Sequence, residues 1–554
     1  MKTLYITTVL LLFVSAVTAQ VAPNKFFVAF TDKNGTPYSI SNPQAFLTQR
    51  AIDRRTRQGI AIVENDLPVN PSYIEQVKNL GVSILNPTKW LNGVTVYAPD
   101  TSVMASIRAL PFVNKVYKCT GGGNANPLPY EKFRIETERV AGVAPVSAKS
   151  ANSPSSFNYG PSYTQIHQVK GDVLHDLGYQ GQGMVIAVLD AGFLNADYLP
   201  AFDSLRSNGQ ILGTKDFVTA GNNVYNEFYH GEAVLSVMGG NVPGQIVGTA
   251  PKASYWLLRS EDSNTENIIE EYNWVSAAEF ADSVGADVIN SSLGYTTFDD
   301  PKYDHSCADM NGYTCPSTIG ANYAGSKGIA VINSAGNSGG SGWDCVGAPS
   351  DGYNVMAIAA VDYLGVRASF SSVGVDSAGR VKPNVAGMGV NTIVAYPDGG
   401  YGGGNGTSFS SPLIAGMVAC LWQSKPNLTN FDVYQALQRS GNQFSAPDSL
   451  LGYGIPDFST ALLVLGTPEI PAASVQIMPN PFTNRITASL NCTGEERISL
   501  QLFDQTGRQV AEHSTAGVKG QNTVVLENLS GLSRGFYILR ISAGAVSETR
   551  KLLK

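Results

Sequence analysis

Three side chains in this sequence could together make a working nucleophile. Ser408 lies in GTSFSSP (406–412), where a Gly-rich run, YGGGNG, meets a long apolar run, LIAGMVACLW. A hydroxyl where a loop becomes a helix faces the positive end of the helix dipole, which favours developing negative charge. The same position also suits an ordinary capping serine. His230 opens HGEAVLSVMGG, in which Ala233, Val234, Val237 and Met238 have helical spacing, so the imidazole sits at a helix N-terminus. Asp190 closes the apolar run VIAVLD. Alone, such an aspartate is a turn residue or a ligand for a ribose or a metal, and a lone histidine is usually structural. Together they are more: a serine hydroxyl needs a base to take its proton, and a carboxylate holds that base in the right tautomer. Asp, His, Ser is one of the known chain orders for this machinery. An esterase of the other α/β type would want a G-x-S-x-G turn with its histidine last, whereas His230 precedes Ser408.

The elements that must position these groups lie in residues 163–465. MVIAVLD (184–190), ASYWLLRS (253–260), ADVINSSLG (286–294), GIAVINSAGN (328–337) and VMAIAAV (355–361) are apolar runs of strand length. Their continuous rather than alternating hydrophobicity predicts strands buried on both faces. Helical patterns such as TENIIEEYNWVSAAEFADSVG separate them, so the fold class is α/β, a parallel sheet with helices on both faces. In such sheets functional groups gather beyond the carboxyl ends of the strands.

VIAVLDAGF, HGEAV and GTSFSSP, in this order, resemble the Asp, His and Ser motifs of the subtilisin-like serine peptidases, over roughly residues 165–460. The resemblance implies a serine endopeptidase acting on proteins or peptides through an acyl-enzyme. Asp190 would orient His230, His230 would act as base and then acid, and Ser408 would attack. NSAGN resembles the family's oxyanion motif, which implies Asn337 as side-chain donor beside the Ser408 backbone N–H. SSLG resembles the segment that pairs with substrate backbone, which implies Ser292, Leu293 and Gly294 as a wall where a peptide adds as an extra strand. Gly336 would shape the pocket for the residue before the cut, and Gly347 would lie at its base and leave it roomy. The implied chemistry needs no cofactor and no catalytic metal.

One position departs from the pattern. Glu232 stands where the family usually has Thr after His-Gly. A charged Glu232 beside the base would raise the pKa of His230; a Glu232 turned to solvent would do nothing. This departure is the one feature favouring an alternative reading, a surface binding protein built on an inactive peptidase fold. The acidic loop at 298–315 offers Asp299, Asp300, Asp304 and Asp309 as hard oxygen ligands, which admits a structural calcium, although the spacing matches no EF-hand loop.

The rest of the chain frames this domain. Its 554 residues are too many for one core, and a net charge of −7 spread along the chain leaves no footprint for nucleic acid. Residues 1–19 read as a secretory signal peptide, with Lys2, an apolar run and small residues to Ala19. Residues 20–120 hold a small α+β unit. Its expected order is a strand at 25–30, helices at 43–59 and 71–81, two strands within 82–98, a short helix and a last strand. This unit resembles the family's inhibitory propeptide. Residues 121–162, rich in Gly, Pro, Ser and Asn, read as a cleavable linker with a short helix around EKFRIETERV. GTPEIPAAS (466–474) is a second linker. Residues 475–554 read as a β-sandwich, and MPNPF, LFDQTGR and GFYILRI with the terminal TRKLLK resemble a type IX secretion sorting domain. The implied partners are protein substrates, the chain's own propeptide as inhibitor and the type IX machinery, with the product secreted or held at the cell surface. Export permits disulfides. One pair among Cys307, Cys315 and Cys345 is expected to bridge, Cys307 with Cys315 foremost, and Cys420 reads as a buried free thiol.

Overall fold

Each apolar run of the large domain becomes a strand with little solvent contact. A computed structural model describes residues 24–120, 133, 157–219, 221–374, 380–466, 476–478, 482–492, 494–518, 520–544 and 546–554. The signal peptide and most of the first linker, with its expected helix, lie outside these residues. The chain divides into two units, one ending at Val464 and the other beginning at Leu465.

The first unit opens with a four-stranded antiparallel sheet. It is built from β1 (Lys25–Phe30), β2 (Ser83–Thr88), β3 (Gly93–Tyr97) and β4 (Val113–Lys118), in the order β2-β3-β1-β4. Helices α1 (Gln49–Arg57) and α2 (Pro71–Lys78) accompany it. The helix expected over 43–59 is broken. A 3-10 turn occupies Pro43–Ala45, and α1 restarts after Thr48. The Thr48 hydroxyl caps the N–H of Ala51, while its own N–H donates to the carbonyl of Ser283. The tertiary contact at 283 sets the boundary against the local periodicity.

The main sheet has seven parallel strands: β5 (Val185–Asp190), β6 (Ile211–Asp216), β7 (Ser254–Arg259), β8 (Val288–Ser291), β9 (Ala330–Ser334), β10 (Val355–Val361) and β11 (Val385–Met388). Their order is β11-β10-β9-β8-β5-β7-β6. Chain order reverses around β5, so a crevice opens at the carboxyl ends of β5 and β8. Register brings Leu189 opposite Ser291 and Ser291 opposite Asn333. The segments leaving these three strands therefore start at one level. Helices α3 (His230–Gly239), α4 (Ile269–Val284), α5 (Pro316–Ser326) and α6 (Thr407–Gln423) flank the sheet. The hairpin β12 (Thr392–Ala395) and β13 (Tyr401–Gly404) leads into α6.

The small sheet docks on α4 through charge. Arg54 and Arg55 of α1 are buried, and both reach Asp282, at 2.6 and 2.8 Å. Lys89 adds a third cation at 2.9 Å. At the tip of the β2–β3 hairpin, the N–H groups of Lys89 and Trp90 donate to the two oxygens of Glu279 at 2.7 and 2.8 Å. Phe27 stacks on Tyr272 with ring centroids 4.4 Å apart.

The disulfide differs from the expected pair. Cys307 bonds Cys345, with Cα atoms 5.9 Å apart. Cys315 directly precedes α5; its thiol is buried and free, with Sγ 3.9 Å from the carbonyl of Asp309. Cys420 is buried and free.

In the second unit β14 (Gln476–Met478), β15 (Ile486–Cys492) and β18 (Gly520–Leu526) form one sheet. The strands β16 (Glu496–Asp504), β17 (Gln509–Gly517), β19 (Phe536–Ala543) and β20 (Val546–Leu553) form the other. Ile486, Leu490, Leu500, Leu502, Leu539 and Ile541 share one core between them, as a sandwich requires.

Candidate active site

Asp190 is the last residue of β5 and is fully buried. Its Oδ1 accepts the N–H of Ala191 at 2.7 Å and lies 2.7 Å from Nδ1 of His230. With Nδ1–H donating to the carboxylate, Nε2 becomes the basic nitrogen of the ring. His230 is the first residue of α3. The helix can come this close only because Gly231 follows. A Cβ there would stand 2.5 Å from the Gly192 carbonyl oxygen and 2.8 Å from the Asp190 Cβ. Gly231 was not singled out from the sequence, although its place directly after the histidine was the available signal.

Ser408 is the second residue of α6, after Gly406 at φ +142°. The first four N–H groups of a helix have no intrahelical acceptor, so the Ser408 N–H belongs to the donor end. Helix α6 packs against α3 and against β8, β9 and β10. The ring of Phe409, next to Ser408, lies 6.2 Å from that of His230. The Ser408 hydroxyl points to the carbonyl of Ser292 at 3.4 Å. Pro412 is the sixth residue of α6. It cannot donate to the Ser408 carbonyl four residues back. That carbonyl instead accepts the Ser292 hydroxyl at 2.9 Å, tying helix to wall.

The other expected residues gather around this centre. Asn337 follows β9, and its Oδ1 accepts both the N–H and the hydroxyl of Thr407 at 2.9 and 2.8 Å. This fixes the amide plane and makes Nδ2 its donor. Leu293 is buried, and its carbonyl accepts the Asn333 side chain at 3.0 Å. Gly294 follows, and a Cβ there would meet only Ala348 O, at 3.9 Å. Gly336 has φ +106°, and a side chain would press on Ser372 Oγ at 2.8 Å. Gly347 donates to the Ala335 carbonyl at 3.2 Å and faces Thr296.

Glu232 takes neither of its expected positions. It is fully buried in α3, and neither carboxyl oxygen has a hydrogen-bond partner among the described residues. Burial first, and Asp398 on the β12–β13 turn second, push its pKa well above the carboxylate range. Glu232 does not face water, and its raised pKa favours the protonated form.

Asp299, Asp300, Asp304 and Asp309 each accept a nearby backbone N–H, from Glu266, Lys302, Phe298 and Ser306. They do not form a common ligand group. Two other groups bring three donors within 4.8 Å: Glu261 with Glu266 and Glu270, and Glu271 with His305 and Cys315. Both are already hydrogen-bonded, Glu261 by the Tyr295 hydroxyl at 2.7 Å and Glu271 by Ser317 at 2.6 Å. A further aromatic, Phe133 from the first linker, lies on the His230 ring; no motif in the sequence marked it.

Comparison with known proteins adds three family matches. Residues 25–129 match the peptidase S8 propeptide domain of Bacteroidota, residues 181–454 the subtilase family, and residues 476–554 a secretion system C-terminal sorting domain. Subtilisin NAT of Bacillus subtilis subsp. natto is 33% identical over 287 residues, covering 50% of this chain and 67% of that protein. Subtilisin of Bacillus pumilus is 32% identical over 277 residues, 49% of this chain and 89% of that one. A thermostable alkaline protease of Halalkalibacterium halodurans is 27% identical over 282 residues, 51% and 68% of the two chains.

Proposed function

The chain belongs to the subtilase family of serine peptidases, and from that premise we propose that it cuts proteins through Asp190, His230 and Ser408. It is made with a propeptide and carries a sorting domain for export. The observation that carries the assignment of residues is the 2.7 Å contact between the Asp190 carboxylate and His230 Nδ1, at the helix end that α6 abuts. His230 Nε2 takes the Ser408 proton as Oγ attacks the scissile carbonyl. The oxyanion is met by the Ser408 N–H and Asn337 Nδ2. The amine leaves with the proton from His230, and water then cleaves the acyl-enzyme. Asp190 stays ionised throughout and stabilises the imidazolium. Substrate lies along Ser292–Gly294 as an added strand, its preceding side chain in the pocket shaped by Gly336 and Gly347.

The test is turnover of an unfolded protein by the processed enzyme, wild type against Ser408→Ala, from pH 6 to pH 10. Loss of the nucleophile is expected to lower kcat by ~10⁶, and Asn337→Ala by ~10²–10³. Equal, negligible turnover by folded, processed wild type and Ser408→Ala would instead support the binding-protein reading, with Glu232 as the suspect residue.

A further inference from the structure

The acidic loop at 298–315 brings a histidine and a cysteine to a buried carboxylate. Glu271, on α4, is fully buried. Its Oε1 lies 2.7 Å from Nε2 of His305, whose side chain is 10% exposed. Its Oε2 accepts the N–H and the hydroxyl of Ser317, in the first turn of α5, at 3.0 and 2.6 Å. The free, buried thiol of Cys315 completes a group whose three donor atoms all lie within 4.8 Å of one another. The carbonyl oxygen of Asp309 is 3.9 Å from that thiol. The triad chemistry uses none of these residues, and Cys315 takes no part in the disulfide.

We propose that Glu271, His305 and Cys315 form a structural site for a borderline-soft divalent metal, zinc above all, with the Asp309 carbonyl oxygen closing the fourth position. Donor chemistry sets the class. A thiolate, an imidazole and a carboxylate make a zinc set, whereas calcium takes about six to eight oxygens. The aspartate side chains that suggested calcium are engaged by backbone N–H groups. Spacing agrees with zinc. Bonds of ~2.0–2.3 Å in a tetrahedron place ligand atoms roughly 3.3–3.7 Å apart. The Glu271–His305 pair therefore opens by less than ~1 Å to admit the ion, and the other two donor distances close by roughly 1 Å at most.

The surroundings hold the ligands as a metal site requires. A ligating carboxylate needs its second oxygen fixed, and a ligating imidazole needs its ring oriented. Ser317 fixes Glu271. Phe298 stands edge-on to the His305 ring at 5.3 Å, and the His305 N–H donates to the Thr296 carbonyl at 2.8 Å. Without an ion, the Cys315 S–H is a weak donor with a long contact to Asp309. On binding, the thiol gives its proton to water as the metal–sulfur bond forms. The ion joins α4, the loop and the start of α5. The same loop is tied by Cys307 to Cys345, just before Gly347, so metal and disulfide together pin it at both ends. The ion takes no step in peptide cleavage.

The experiment uses the full-length chain carrying Ser408→Ala, which keeps it intact. The protein is stripped with a chelator and dialysed against zinc, and bound metal is counted by mass spectrometry. One zinc per chain is expected, with a higher Tm in zinc than in chelator. Ser317→Ala, which removes only a support of Glu271, should weaken binding ~10–100-fold. Cys315→Ser or His305→Ala should weaken it more and abolish the gain in Tm. Cobalt(II) in place of zinc should give the strong near-ultraviolet charge-transfer band of a metal–thiolate bond, and Cys315→Ser should lose it. The band needs no variant of the site, so a Cys315→Ser chain that fails to fold leaves the test standing. Zinc bound no better than by Cys315→Ser, a Tm that zinc does not raise, or cobalt bound without that band overturns the site. The triad reading stands in each case, since no ligand belongs to it.

Discussion

Two buried carboxylates, on α4 and α3, solve the same problem in opposite ways. Asp282, near the end of α4, is surrounded by Arg54, Arg55 and Lys89. Burial alone would raise its pKa, but these cations outweigh it and hold the carboxyl well below the usual range. Glu232, in α3, has no such company and is pushed the other way. The difference follows from what each faces once the propeptide leaves. The partners of Asp282 come from the propeptide, so departure returns the carboxylate and the cations to water, which solvates both. Glu232 stays inside the catalytic domain in either state, and an unpaired buried charge costs too much to keep. A docking surface meant to release can be ionic; a permanent core position cannot, unless it is paired.

The largest effect expected from this contrast is at Asp282. Removing one member of a buried ion cluster strands the others and costs ~3–5 kcal/mol. After the linker is cut, Asp282→Ala should retain its propeptide ~10²–10³-fold less tightly than wild type. Size-exclusion of the nicked complex, with residual inhibition of turnover, measures this. Retention within threefold of wild type would mean the ionic cluster does not hold the propeptide.

A pH series sharpens the same point. The depressed pKa of Asp282 gives docking a contribution present above the free carboxylate value of ~3.9, lost as pH falls through the lower docked value. Glu279 has the opposite sign. Burial raises it, only partly offset by Lys89 and two backbone N–H groups, up to about 7. Its contribution is full below ~4.3 and fades as pH rises through about 7. Propeptide retention should therefore peak between these limits and weaken toward pH 9 as well as below pH 4. Glu279→Gln should flatten the alkaline side; an unchanged alkaline limb in that variant would contradict the assignment.

How far the sequence foretells these features depends on the range of the forces involved. The strands ending at Asp190 and Ser291 are legible because burial on both faces leaves a continuous apolar run. Helix α3 is legible from its spacing. The break before α1 is not, because Thr48 is held by Ser283, far away in the chain. Nor is the pairing of Cys307 with Cys345 over Cys315, since it depends on which way the N-terminus of α5 faces. Arg54 and Arg55 look like the polar face of an amphipathic helix and become buried charge only on docking. Phe133 lies in a stretch whose composition says linker, and only the site it covers gives it meaning. The family motifs single out Glu232 as a departure, but its burial, and the raised pKa that burial and then Asp398 of the β12–β13 turn produce, depend on tertiary packing.

The smallest expected effect is at that last residue. A buried polar group lacking a partner costs ~1–3 kcal/mol, and Glu232→Met keeps the volume while removing the polar atoms. The raised pKa sets the sign: the neutral acid is tolerated at low pH, and stability is lost as pH rises through the elevated value. The gain in Tm for Glu232→Met over wild type should therefore grow from pH 6 to pH 9, with kcat within a few-fold. Thermal unfolding of the processed enzyme at both pH values, in parallel with peptide turnover, decides the matter. A variant that folds as well as wild type but loses kcat more than tenfold would place Glu232 in the chemistry. The contrast with Asp282 would then be one between two functional carboxylates, no longer between a released surface and a permanent core.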